Sequence, residues 1–289
     1  MKKRTIFNPS ISSKYNVYHS YGVKQTFYAW LVLGIVFCNQ AVFAQSPVTI
    51  PNSVEVSLHS KVNNVQYNLQ IALPHGYGKS TADYPVVYVL DANTDFPLVT
   101  SISRRLEAED DLKKLVVVGI SYQDSVWWRR SLDYSPSTRE GERYTGGAQN
   151  FIRSLEEEII PTIEKEFRVK KNGRTLMGHS LGGLFASYLV VNNNDLFDNY
   201  VVSSPSMWWD NYVVLKSSSP TYTPKSIFLT VGAEENPHMI KSCHALSDFI
   251  DKKLTASTKK AVELSGENHA SAKFRAFADG LRWLFKESE

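Results

Sequence analysis

The stretch Gly178-His179-Ser180-Leu181-Gly182, followed by Gly183, has the pattern Gly-x-Ser-x-Gly. A serine hydroxyl in this setting can attack an acyl carbonyl if three conditions hold. It must stand on a sharp turn clear of its neighbours. Flanking residues must lack side chains that would collide there. A helix must begin next to it, so that backbone N–H groups face the reacting oxygen. The residues around the motif meet these conditions: Arg174–Met177 reads as a strand and Leu184–Val191 as a helix.

A serine hydroxyl needs a base, and imidazole is the side chain best matched to neutral pH. In strand–turn–helix nucleophile sites the chain order is serine, then acid, then histidine. Three histidines follow Ser180: His238, His244 and His269. His269 stands in Gly266-Glu267-Asn268-His269, after the last expected strand and before the final helix, and is the candidate base. His244 falls inside a helical pattern and reads as a packed or surface residue. His238 lies near a helix start and is a candidate pocket residue. The acid belongs after the next-to-last strand, where Gly232-Ala233-Glu234-Glu235 offers two carboxylates. Glu235 is preferred for its spacing from Gly232, with Glu234 as the alternative and Glu267 a weaker one. Either glutamate can hold the imidazole tautomer and stabilise its cation. An oxyanion hole needs two N–H donors. Leu181, just after the serine, supplies one. The other is assigned to Asn93 in Leu90-Asp91-Ala92-Asn93, after the third strand. His75-Gly76 precedes that strand and reads as a turn.

The elements that must position these groups follow from apolar spacing. Val54–Ser60 and Val65–Leu73 alternate apolar and polar residues and read as an antiparallel hairpin. Val86–Leu90 and Leu115–Ile120 are continuous apolar runs, the mark of strands covered on both faces. Phe96–Asp111 lies between them with helical spacing. Ala148–Phe167 is a long amphipathic helix, with Phe151, Ile152, Leu155, Ile159, Ile160 and Ile163 on one face. Strands at Thr175–Gly178, Tyr200–Ser203, Ile227–Val231 and Ala261–Leu264 then alternate with helices at Leu184–Val191, His238–Leu254 and Ala270–Phe285. The order implies an α/β fold: a mostly parallel, doubly wound sheet with an antiparallel N-terminal hairpin. Reactive groups in such sheets gather beyond the carboxyl ends of the strands.

In this order the chain resembles the putative esterase family, an α/β-hydrolase group that includes esterase D-like enzymes, enterochelin esterases and siderophore trilactone hydrolases. The resemblance is carried by Leu90-Asp91-Ala92-Asn93, Asp133-Tyr134-Ser135-Pro136, Gly146-Gly147-Ala148, the Ser180 motif, Ser204-Pro205-Ser206-Met207-Trp208-Trp209 and Gly266-Glu267-Asn268-His269. The Ser-Pro-Ser-x-Trp-Trp and Asp-Tyr-Ser-Pro segments are more specific than the serine motif. The resemblance implies the α/β-hydrolase fold and hydrolysis of carboxylic esters through Ser180 and His269, with a siderophore ester as one substrate class and a general acyl-ester or thioester as the other. Some relatives work with a serine–histidine pair, so the acid stays open. The family often has Asp-Gly where this chain has Asp91-Ala92, and threonine where it has Ser135. In siderophore esterases an arginine in the region of Arg129 and Arg130 is expected to meet an anionic catecholate, whereas an exposed surface pair is the competing assignment. Trp127, Trp128, Trp208 and Trp209 are candidates to wall a pocket for an aromatic or acyl group, or else to pack loops on the sheet edge. A non-catalytic binding module of the same fold is the remaining alternative, and retention of Ser180 and His269 argues against it.

Composition bounds the rest. The 289 residues are 43% hydrophobic and 21% charged, ordinary for a globular catalytic domain. Residues 1–44 carry five basic residues, no acidic one, and an apolar run at Phe27–Phe37 ending near Val42-Phe43-Ala44. They read as a signal peptide cleaved after Ala44, leaving a catalytic domain at 45–289 for the periplasm or the medium. The apolar run falls short of the ~20 residues that span a bilayer, so no stable membrane insertion is expected after cleavage. Phe37 is too bulky for the site before a lipidated Cys38. Of 32 basic and 29 acidic residues, 27 and 29 lie after residue 44. That near-neutral balance, without a basic stripe, gives no case for nucleic-acid binding. Cys243 is the single cysteine after the leader, so no intramolecular disulfide forms. No metal-ligand spacing is present and no cofactor is expected; the anticipated partner is a small-molecule ester.

Overall fold

The computed structural model describes residues 46–123, 127–192, 195–216 and 222–286. The leader segment 1–44 lies outside the described residues, apart from which Ile50–Glu289 cluster as one unit. Eight strands form one sheet in the order β1-β2-β4-β3-β5-β6-β7-β8. The strands β1 (Ser53–Ser60) and β2 (Val65–Ala72) form the expected hairpin, and β2 runs antiparallel to β4 (Val116–Tyr122). All further pairings are parallel, through β3 (Val86–Val89), β5 (Thr175–His179), β6 (Asn199–Ser203), β7 (Ser226–Gly232) and β8 (Thr258–Leu264). Every residue of β3 and β5 is buried, as continuous apolar runs require when helices cover both faces.

On one face lie α1 (Ala92–Ala108) and α7 (Ala272–Phe285), which bury Phe96, Val99, Phe277 and Leu281 against Val87, Val89 and Met177 of the sheet. The other face carries α2 (Trp127–Tyr134), α3 (148–166), α4 (Leu181–Asn192), α5 (Val213–Lys216) and α6 (Pro237–Lys253). They bury Tyr134, Phe151, Phe185, Val214, Leu246 and Ile250 with Tyr88, Leu176 and Val202. The helix α3 is a composite: Ala148–Ser154 and Ile160–Glu166 are α-helical, and Leu155–Ile159 between them is a π turn. Pro161 explains the widening. It has no N–H for the carbonyl one turn back, and its ring crowds that carbonyl, so the ladder loosens just before it.

Two helices begin earlier than their spacing implies. The start of α1 is Ala92 rather than Phe96, because Asp91 takes a left-handed turn at φ 55° that ends β3 abruptly. Likewise α4 starts at Leu181 rather than Leu184, directly on the serine. The helix α2 is not visible in the apolar spacing, being short and rich in tryptophan and arginine. Among the described residues no helix is long and apolar enough to cross a membrane.

Candidate active site

Ser180 sits between β5 and α4 with φ 58°, a left-handed conformation that non-glycine residues seldom adopt. Its N–H donates to the Ser203 carbonyl at 3.0 Å, and its carbonyl accepts from Leu184 and Ser206 at 2.9 and 3.2 Å. The neighbouring glycines are steric necessities. A Cβ on Gly178 would lie 2.4 Å from the Gly182 carbonyl oxygen, and one on Gly183 would lie 2.9 Å from that of Ser203.

His269 reaches the serine from the loop between β8 and α7. Asn268 builds that loop, accepting on Oδ1 from the N–H groups of Ala270 and Ser271 at 3.0 and 3.1 Å. The His269 Nε2 is 3.0 Å from Ser180 Oγ, and Nδ1 is 2.6 Å from Glu235 Oε2. Glu235 follows β7, and its side chain is fully shielded from solvent. Its Oε1 accepts from Ser204 Oγ at 2.5 Å and from the Gly232 N–H at 2.9 Å. Burial by itself would raise the Glu235 carboxyl, but the hydrogen bonds from His269, Ser204 and Gly232 outweigh it and hold the group below the usual glutamate range. Gly232 lets the two loops meet, because a Cβ there would lie 2.3 Å from the Glu267 carbonyl oxygen.

The structure therefore brings Ser180, His269 and Glu235 together. Glu234 is exposed and Glu267 half-buried, and the Glu234 N–H donates to the Glu267 carbonyl at 3.0 Å. His244 faces outward onto Glu263, and His238 is an exposed residue in the first turn of α6. The candidate oxyanion segments also converge: a Cβ on Gly182 would lie 3.2 Å from Asp91 Oδ2 and 3.6 Å from Leu90. Leu181 opens α4 and Asn93 stands in the first turn of α1.

A cavity of about 330 Å³ adjoins these segments, lined by Asp91, Asn93, Tyr122, Trp127, Arg130, His179 and Lys273 among others. Arg130 faces it but is already held by Asp91, with Nε to Oδ1 at 2.6 Å and a second bond to Oδ2 at 2.9 Å. Arg129 is outside the lining and pairs with Asp133 at 2.9 Å. Trp208 is outside it too, its indole N–H meeting the Met239 sulfur at 3.0 Å. Of the four tryptophans only Trp127 lines the cavity; Trp128 stacks on Tyr144 and Trp209 lies under Arg139.

Lys273 and His179 are site residues that apolar spacing does not single out. Lys273 Nζ lies 2.6 Å from Asp95 Oδ1, tying α7 to the start of α1. The His179 ring packs on that of His269 with centroids 4.6 Å apart, and its Nδ1 lies 3.0 Å from Ser203 Oγ. Burial, followed by the neighbouring His269, pushes the His179 imidazole down to about 3, so it is a neutral wall of the site. The signal for it was the residue inside the serine motif itself. Among the described residues no cluster of His, Cys, Asp or Glu is arranged to hold a metal ion.

Residues 60–280 match the family described as Putative esterase. The chain belongs to the Putative esterase family. It is thereby an ester hydrolase of the α/β-hydrolase fold. Ferri-bacillibactin esterase BesA of Bacillus subtilis is 29% identical over 249 residues, which cover 77% of this chain and 86% of the relative. The crystal structure of the BES protein from Bacillus cereus superposes with a TM-score of 0.75 at 30% identity, covering 84% of this chain and 99% of that one. An IroE-like serine hydrolase from Shewanella oneidensis superposes at 0.72 with 27% identity, covering 81% and 80%.

Proposed function

We propose that this Putative esterase family member cleaves carboxylic esters through an acyl-enzyme on Ser180. The carrying observation is the unbroken line Glu235–His269–Ser180, with links of 2.6 and 3.0 Å. His269 Nε2 takes the hydroxyl proton as Oγ bonds to the ester carbonyl carbon. The carbonyl electron pair moves to oxygen, and the N–H groups of Leu181 and Asn93 receive the oxyanion. Collapse breaks the bond to the alcohol, which leaves with the proton from His269. Water then repeats the sequence on the acyl-enzyme, releasing the acid and free Ser180. Glu235 accepts from Nδ1–H throughout, fixing the tautomer and stabilising the transient imidazolium.

For the substrate we propose a siderophore ester, in keeping with the relative named for ferri-bacillibactin. A simpler acyl-ester is the second reading, and one observation favours it. Both cations lining the cavity, Arg130 and Lys273, already have carboxylate partners, so the wall suits a neutral acyl group. Residues 1–44 remain proposed as an export leader, placing the enzyme outside the cytoplasm.

The test is hydrolysis of siderophore lactones and p-nitrophenyl acyl esters by wild type and Ser180→Ala, with products identified by mass. Ser180→Ala is expected to lose turnover and fluorophosphonate labelling while melting like wild type. Near wild-type turnover by that variant would refute the assignment, and failure of the intact protein to label would favour a binding module.

A further inference from the structure

The strand β6 ends at Ser203 and Ser204 follows it, two adjacent, fully buried serines whose polar contacts lead to the reacting groups. The Ser203 carbonyl holds the Ser180 N–H, and Ser203 Oγ meets His179 Nδ1 at 3.0 Å. Ser204 breaks the strand with φ 45°, anchors its own N–H on the Thr230 carbonyl at 2.7 Å, and sends its hydroxyl to Glu235 Oε1 at 2.5 Å. A carboxylate has no proton to give, so the Ser204 hydroxyl is the donor. A fully buried non-glycine residue in a left-handed conformation is a costly arrangement, and such arrangements cluster where the fold must aim a group.

We propose that Ser204 is the positioning residue of the acid, acting through Glu235 rather than on substrate. With the Gly232 N–H it fills Oε1 with two donors. The carboxylate plane can then turn only one oxygen, Oε2, toward His269 Nδ1. The bond is charge-assisted and buried, which makes it a stronger constraint than a neutral pair. This inference rests on the reading of Glu235 as the acid.

The experiment compares Ser204→Ala and Ser204→Gly, in wild-type and Glu235→Ala backgrounds, on p-nitrophenyl acetate. Glycine removes the hydroxyl yet suits the left-handed backbone, so it separates the lost bond from backbone strain. Both single variants are expected to lose about tenfold to a hundredfold in kcat with KM within about twofold, and Ser204→Gly to melt like wild type. In the Glu235→Ala background the same changes are expected to cost less than about twofold, because their target is gone. The proposal is overturned if both single variants turn over like wild type while Glu235→Ala is impaired, or if the loss is equal in the two backgrounds. Wild-type turnover by Glu235→Ala would instead overturn the acid assignment, and this inference with it.

Discussion

Replacing Glu235 by glutamine keeps the side chain's shape and tests its charge and direction. The surroundings dictate how the amide must sit. Its Oε1 position faces the Gly232 N–H at 2.9 Å, and a backbone N–H can only donate. The amide oxygen therefore takes that position and the NH₂ group turns to His269 Nδ1. An NH₂ cannot accept, so Nδ1 must give up its proton and Nε2 must carry it. The imidazole then presents an N–H to Ser180 where it should present a lone pair. The same inversion of tautomer in a serine–histidine–aspartate site costs ~10⁴ in kcat, which is about 5.4 kcal/mol of transition-state stabilisation. Glu235→Gln is expected to fall by about that factor, and to be no better than Glu235→Ala despite its match in volume. Steady-state kinetics on an activated acyl ester measure both, with melting curves to establish folding. If glutamine kept turnover within tenfold of wild type while alanine lost far more, the residue would be acting by packing, and the tautomer argument would fail.

Two further outcomes follow from the charged groups around the site. His179 stays neutral in the folded chain down to about 3, whereas an ordinary histidine protonates near 6.5. Between those values the unfolded chain holds the extra proton. The contribution to stability is thus full above 6.5 and declines on acidification by about 1.4 kcal/mol per pH unit. Glu235, held below its ordinary value of 4.5, adds a loss of the same sign at lower pH, as the solution falls through its folded value. Urea unfolding from pH 7 to pH 5 should show His179→Gln with a shallower pH slope than wild type, and parallel slopes would count against a buried neutral imidazole. Lys273→Met takes the cation from Asp95, which is only 2% exposed and keeps the Thr94 hydroxyl as a donor, and should cost about 3 kcal/mol. Adding Asp95→Asn should recover most of that loss, and a double variant as unstable as the single one would show that the pair is not what α7 and α1 share.

The parts of the site legible in the sequence are those whose chemistry depends on local backbone. Ser180 announces itself because a left-handed turn between strand and helix needs Gly178, Gly182 and Gly183 at fixed offsets, and those offsets are written in the chain. His269 follows because one loop joins the last strand to the last helix. Glu235 is preferred over Glu234 only on its spacing from Gly232, because the two differ by which way one turn points; in the fold it is Glu235 that takes the Gly232 N–H and the Ser204 hydroxyl. The arginines show the opposite case. Arg129 and Arg130 are adjacent, yet the i,i+4 spacing of α2 sends Arg129 to Asp133 and leaves Arg130 to cross to Asp91, 39 residues away. No spacing rule links 130 to 91, or 273 to 95, because those contacts are made by the sheet bringing separate strand ends together. The charge of the cavity wall is therefore a property of the fold, and substrate preference has to be read from paired side chains rather than from the cations a sequence displays.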